Sequence, residues 1–399
     1  MLMDVLFNSF SAKYVRTGTR FVRGLEREID WELPLVGIRG PRGVGKTTML
    51  LQHIKLHHKV DGSVLYASAD NIWFNAHSIY ELAVGFAQRG GRFLYLDEVH
   101  KYPNWSQELK NIYDDLPDLK VVFTGSSLLE ILNSRADLSR RAVVYEMQGF
   151  SFREYLNWNE QVRLPKVELP QLLADHVEIA MEVMGKVKVL QHFDAYLRHG
   201  YYPFYKEQPT MFNTRLGEVV NMILEVELPQ LRGLDMAYVP KIKQLLYVIA
   251  ESAPFTPNVT KLGERIGVSR NAMLAYLNAL HESRITFSLH KDASGVARLQ
   301  KPDKLYLDNT NLAYALIGGQ PNRGTLRETF FANQLRQGHV VEVAKAGDFV
   351  VDGNYTFEIG GAGKGMQQVE SVESAYIVAD DIEYGNGERV PLWMFGFLY

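Results

Sequence analysis

The residues best placed to do chemistry are Gly40-Pro41-Arg42-Gly43-Val44-Gly45-Lys46-Thr47, followed by Thr48. The run fits the pattern G-x-x-x-x-G-K-[ST]. Glycines let the backbone fold around phosphate groups with its N–H bonds pointing inward. A helix that follows adds the positive end of its dipole. Lys46 can reach the β- and γ-phosphates, and Thr47 can ligate Mg²⁺. The expected nucleotide contacts therefore run from Gly40 to Thr48. Further along, the apolar run from Phe93 ends in Asp97 and Glu98. Asp97 would hold Mg²⁺ through water, and Glu98 would polarise the attacking water. Taken singly, a glycine turn and a strand-end acid are ordinary features. In this order they select the binding and hydrolysis of ATP. Thr124-Gly125-Ser126-Ser127 closes another apolar run, and a hydroxyl there could orient the water. Ser126 and Thr124 are both candidates, and capping of the next helix is the alternative.

These residues need elements to hold them. LPLVGIR, SVLYASA, RFLYLDE and KVVFTGSS read as strands, with helical patterns between them, and RAVVYEM is a further strand candidate. Such alternation implies a parallel sheet with helices on its faces. From about residue 152 to 250 the periodicity is mostly helical. A Pro254/Pro257 break follows, then a helix–turn–helix-like segment and a candidate β-wing. Beyond about residue 318, one helical pattern (TLRETFFANQLRQG) precedes the strand candidates HVVEVAKA, DFVVDG, NYTFEIG, SAYIVAD and PLWMFGF.

Composition narrows the class. The chain has 399 residues, enough for two or three domains at about 150 residues each. It is 46% hydrophobic with a net charge of −3, which excludes global disorder and a generally basic nucleic-acid binder. It has no cysteine, so disulfides, Cys zinc sites and thiol nucleophiles are excluded. The first residues do not read as a signal peptide, and no apolar run approaches the ~20 residues that span a bilayer. A soluble cytoplasmic protein without membrane partners is expected.

GPRGVGKTT, FLYLDEVHKYPNW, VFTGSS and DLSRRAVVYEMQGFSFREYL, in that order, resemble the AAA+-type ATPases of bacteria and archaea that carry a C-terminal domain of unknown function. YLRHGYYPFY, FEIGGAGKG and PLWMFGFLY extend the resemblance over nearly the whole chain. The resemblance implies an α/β fold. Its parts are a P-loop NTPase parallel sheet core, a helical lid, a winged-helix domain and a small C-terminal α/β domain like the PD-(D/E)xK nucleases. The expected boundaries are an N-terminal extension over 1–30, the ATPase core over 31–155 and a helical lid over 156–250. The winged-helix-like domain follows over 251–310, and the nuclease-like domain, degenerate, over 318–399. ATP and Mg²⁺ are the implied ligands. Arg140 and Arg141 fall where such ATPases place a charge-stabilising arginine, acting across an interface between copies of the chain. A structural ion pair or a surface loop is the alternative for them.

In the helix–turn–helix candidate, Ser269 is a good N-cap. Met273, Leu277 and Leu280 share one face, leaving Arg270, Asn271, Leu274 and Asn278 outward. Arg270, Asn271 and Asn278 suit contacts with duplex DNA. Residues 256–306 hold eight Lys/Arg against four Asp/Glu. Packing, or binding a protein partner, stays open as the other reading. At the C-terminal end, Glu328, Asp348 and Glu358 follow the order of a PD-(D/E)xK core. Gly360 stands where that pattern has its lysine, and Lys364 lies four residues on. A degenerate module is expected, with a Mg²⁺-dependent nuclease as the alternative. His53 and His57 have metal-like i, i+4 spacing. No third ligand is apparent in the sequence, so they and His58 are expected on a solvated helix face. The function expected is a DNA-associated ATPase. A nucleotide-gated switch that contacts protein partners is its rival.

Overall fold

Four apolar runs in the first third lack polar alternation, the pattern of strands buried on both faces. In the computed structural model they form β1 (Leu35–Arg39), β2 (Val64–Ser68), β3 (Phe93–Asp97) and β4 (Lys120–Gly125), joined by β5 (Val143–Glu146). The described residues are 3–125, 138, 140–229, 235–252, 257–291 and 301–399. They fall into two units, Met1–Gly149 and Phe150–Tyr399.

In the first unit all strand pairs are parallel and the order is β2-β3-β4-β1-β5. This is the α/β arrangement of a P-loop NTPase core. The order places β4 between the strand that leads into the phosphate loop and the strand that carries the acids. Ile38 pairs with Thr124, and Leu96 with Phe123, so the C-terminal ends of β1, β3 and β4 lie side by side. Ligands of open parallel sheets bind outside these ends. Val143 and Val144 on the edge strand β5 are exposed, whereas the interior strands are buried. Helix α1 (Asp4–Arg16) buries Leu6 and Phe10, and Phe10 packs near Tyr66 of β2. Helix α2 (Lys46–His57) starts at the phosphate loop, and α3 (Ile79–Ala87) and α4 (Trp105–Asp115) follow β2 and β3.

The second unit begins with helices. These are α5 (Phe152–Glu160), α6 (Leu169–Met184), α7 (Val189–Ala195), α8 (Phe212–Met222) and α9 (Val239–Glu251). Ser151 and Glu154 start α5 with a reciprocal capping box. Helix α10 (Val259–Ile266) ends at Gly267 in the left-handed region, φ 71°, and Ser269 caps α11 (Arg270–Glu282). The antiparallel pair β6 (Thr286–Leu289) and β7 (Lys304–Leu307) follows. Helices α12 (Thr310–Leu316) and α13 (Arg323–Leu335) lead to a five-stranded sheet, ordered β12-β11-β10-β9-β8. Its strands are β8 (Val341–Val343), β9 (Phe349–Val351), β10 (Tyr355–Gly360), β11 (Ala375–Ala379) and β12 (Arg389–Pro391). One strand expectation fails. PLWMFGF is not a strand: Leu392–Phe397 is a 3₁₀ helix with every residue buried. A run with no exposed face carries no periodic signal, so apolarity alone cannot separate strand from helix. Among the described residues, no helix is long and apolar enough to cross a membrane.

Candidate active site

The phosphate loop is built by backbone geometry that only glycine adopts cheaply. Gly43 and Gly45 have φ of 84° and 100°. Gly40 meets a different demand, because a Cβ there would lie 2.0 Å from the Met147 carbonyl oxygen. Lys46, the first residue of α2, is buried and donates to the carbonyls of Gly40 and Pro41, each at 2.8 Å. Its ammonium is thus already inside the loop. Arg42 is half-buried, while Gly43 and Thr48 are exposed.

Asp97 is buried at the end of β3. Thr47 Oγ1 donates to its Oδ2 at 2.7 Å. Tyr66, from β2, donates to the same oxygen at 2.6 Å. The Thr124 hydroxyl donates to Oδ1 and accepts the backbone N–H of Glu98 at 3.1 Å. Three donors therefore orient one carboxylate beside Thr47. Hydroxyl and carboxylate oxygens at this spacing suit a hard cation such as Mg²⁺. Burial and the Asp97 charge both push the Tyr66 phenol upward, so it stays a donor.

Glu98 takes a left-handed conformation, φ 55°, uncommon for a residue with a side chain. Such backbone strain costs about 1–3 kcal/mol and persists where the surroundings fix it. Here the Thr124 hydroxyl holds its N–H and Lys101 pairs with its carboxylate at 2.5 Å. Burial raises the Glu98 pKa, but the Lys101 hydrogen bond and charge outweigh it, and the net shift is downward. The side chain is an ionised acceptor at neutral pH.

Ser126 lies outside the described residues. Of the two candidate hydroxyls, Thr124 is the one the structure locates, on Asp97 and Glu98. Arg141 forms a two-pronged pair with Asp114 of α4, at 2.9 and 3.0 Å, and Arg140 is exposed. Tyr66 was not anticipated from the sequence. Neither was Arg23, which is buried and donates to the carbonyls of Val44, Gln148 and Gly149 at 2.9–3.0 Å. No local motif marks either residue.

In the second unit, Arg270, Asn271 and Asn278 of α11 are exposed, and Leu274 is half-buried. The C-terminal acids are engaged by lysines. Lys304 Nζ stands between Glu328, at 3.3 Å, and Asp348, at 3.4 Å. Tyr306 also donates to Glu328. Burial pushes Glu328 up against the opposing pull of Lys304. Glu358 is buried and pairs with Lys364. The Lys364 stem lies over Gly360, where an added Cβ would come within 2.6 Å of its Cβ and Cγ. Gly360 thus gives Lys364 its path to the acid.

Residues 33–156 match the family described as AAA domain, and residues 190–323 match a domain of unknown function (DUF8612). An uncharacterized protein of Methanocaldococcus jannaschii is 25% identical over 287 residues, which take in 68% of this chain. The match spans only 60% of that relative's own length. The Walker-type ATPase of Pyrococcus abyssi aligns with a TM-score of 0.41 at 14% identity, over 76% of this chain and 98% of its own. AMPPCP-bound DnaA from Aquifex aeolicus aligns with a TM-score of 0.25 at 14% identity, over 64% and 84%.

Proposed function

We propose that the first unit binds ATP with Mg²⁺ and hydrolyses it to ADP and phosphate. The observation that carries this reading is the convergence of Thr47, Tyr66 and Thr124 on Asp97, beside a phosphate loop that already holds its lysine. The match of residues 33–156 to the AAA domain supports it. A bound Mg²⁺ would supply charge neutralisation for the departing ADP. Thr47 and Asp97 are the residues that would hold it. Lys46 exchanges its two loop carbonyls for phosphate oxygens. Glu98 accepts a proton from the attacking water, whose oxygen bonds to the γ-phosphorus as the bond to the β–γ bridging oxygen breaks. Thr124 keeps Glu98 and Asp97 in register through its single hydroxyl. The test is phosphate release from ATP by the purified chain with Mg²⁺. A rate no higher than the protein-free blank would overturn the reading.

The second unit couples this turnover to duplex DNA in the reading we favour. Support comes from α11, which exposes Arg270, Asn271 and Asn278 after a tight glycine turn. Arg270→Glu is expected to weaken duplex binding about tenfold in low salt and to lower the salt slope by about one. The difference should shrink as salt screens the charges. Equal affinity of parent and variant at low ionic strength, measured by fluorescence anisotropy, would move the helix to a protein partner.

We read the C-terminal acids as a module that does not cut DNA. Lys304 already pairs with both Glu328 and Asp348, and Lys364 pairs with Glu358. A cation seeking these carboxylates must first displace two ammonium groups. Plasmid DNA incubated with Mg²⁺ or Mn²⁺ should stay supercoiled with the parent, with Glu358→Ala and with Lys364→Ala. Robust cleavage by the parent, lost in both variants, would show that Lys364 serves as the nuclease lysine.

A further inference from the structure

Helix α2 carries a second constellation, well along from the phosphate loop. His53 and His57 lie one turn apart, and the short helical turn Gly24–Arg27 brings Glu26 against both. Glu26 Oε1 is 2.9 Å from His53 Nδ1 and 3.1 Å from His57 Nε2. The three ligand atoms all lie within 4.8 Å of one another. We propose that Glu26, His53 and His57 form a Zn²⁺ site that fastens the Gly24–Arg27 turn to α2.

The solvated helix face expected for these histidines does not exist at His53. This residue is 4% exposed and Glu26 is 8% exposed. Two imidazoles and one carboxylate form a donor set that zinc accepts, with a fourth position for water. Ligand atoms 2.0–2.2 Å from a tetrahedral zinc stand about 3.3 Å apart. The two spacings to Glu26 need to open by only a few tenths of an ångström, and the two imidazoles lie within 4.8 Å of each other. Trp31 stacks on His53 with centroids 3.7 Å apart and planes 14° apart, and its indole N–H donates to the Glu26 carbonyl at 2.8 Å. Both buried ligands are therefore held in place by a neighbour, as outer contacts do at metal centres. The His57 side chain is 53% exposed, which leaves that side open to an incoming ion and to water.

The site has a mechanical link to the phosphate loop. Arg23 is the residue at the start of the same turn, and it holds the Val44 carbonyl at 3.0 Å. Zinc at Glu26 would stiffen the segment from which Arg23 grips the loop.

The test uses the untagged full chain, stripped with chelator and titrated with Co²⁺ and with Zn²⁺. One Co²⁺ per chain should give visible bands of a four-coordinate nitrogen–oxygen site, and one equivalent of Zn²⁺ should abolish them. His57→Ala removes an exposed ring, and Glu26→Gln keeps a hydrogen-bond acceptor. Each should weaken Co²⁺ binding at least tenfold while keeping the parent far-UV spectrum. His58→Ala should bind as the parent does. Absence of the bands in the parent would overturn the proposal. So would parent-like binding by His57→Ala, or loss of binding in His58→Ala alone.

Discussion

Lys46→Ala is expected to abolish tight ATP binding. The ammonium is buried and held by the carbonyls of Gly40 and Pro41, so the loop is arranged around a positive charge. Truncating one partner of a buried, hydrogen-bonded charge pair costs about 2–5 kcal/mol. That corresponds to roughly thirty-fold to several-thousand-fold in Kd. The variant also leaves those two carbonyls without the lysine donor, so some loss of stability should accompany the loss of affinity. Titration of a fluorescent ATP analogue measures the first effect, and thermal melting of the nucleotide-free protein measures the second. Affinity within about threefold of the parent would mean that the loop N–H groups alone bind the phosphates, and the role given to Lys46 would fall.

The phosphate loop was legible because its chemistry is local. Gly43, Gly45, Lys46 and Thr47 act through their own backbone and the first turn of one helix, and spacing alone conveys that. Asp97 was legible for a similar reason, as the end of an apolar run. What surrounds Asp97 was not. Tyr66 reaches it only because β2 pairs in parallel with β3, with Ser68 opposite Asp97. Nothing within a few residues of Tyr66 reports that neighbour. Arg23 is similar: it joins Val44 to Gln148 and Gly149, segments far apart in the chain. The histidines show how a sound periodicity argument can mislead. His53 and His57 do share a helix face, but Trp31 and Glu26 cover the His53 end of it. Covering is a tertiary fact, and polarity alone suggested water. In the second unit, Gly360 looked like the loss of a lysine. In the fold it is the gap through which the Lys364 stem runs to Glu358.

Glu98→Gln should separate binding from turnover. The substitution keeps the size of the side chain and leaves Lys46, Thr47 and Asp97 untouched, so ATP affinity should stay within about twofold. The amide cannot accept a proton from water, and loss of a positioned general base lowers rates by about 10²–10⁴. Single-turnover measurement with preformed complex reads the chemical step without product release. The Lys101 pair makes a further demand on the parent. It holds the Glu98 pKa below the ordinary glutamate value of 4.5. A base works only when deprotonated, so any acid limb due to Glu98 lies below that pH, and the rate between pH 5 and 8 should not follow its titration. The Lys101 contact is to Oε2, so Oε1 can accept the proton while the pair persists. A neutral amide in its place makes no ion pair with Lys101, so the variant loses that constraint together with the base. If it still hydrolyses ATP at the parent rate, water is activated without Glu98. The left-handed turn at this position would then serve only to bring its N–H to Thr124.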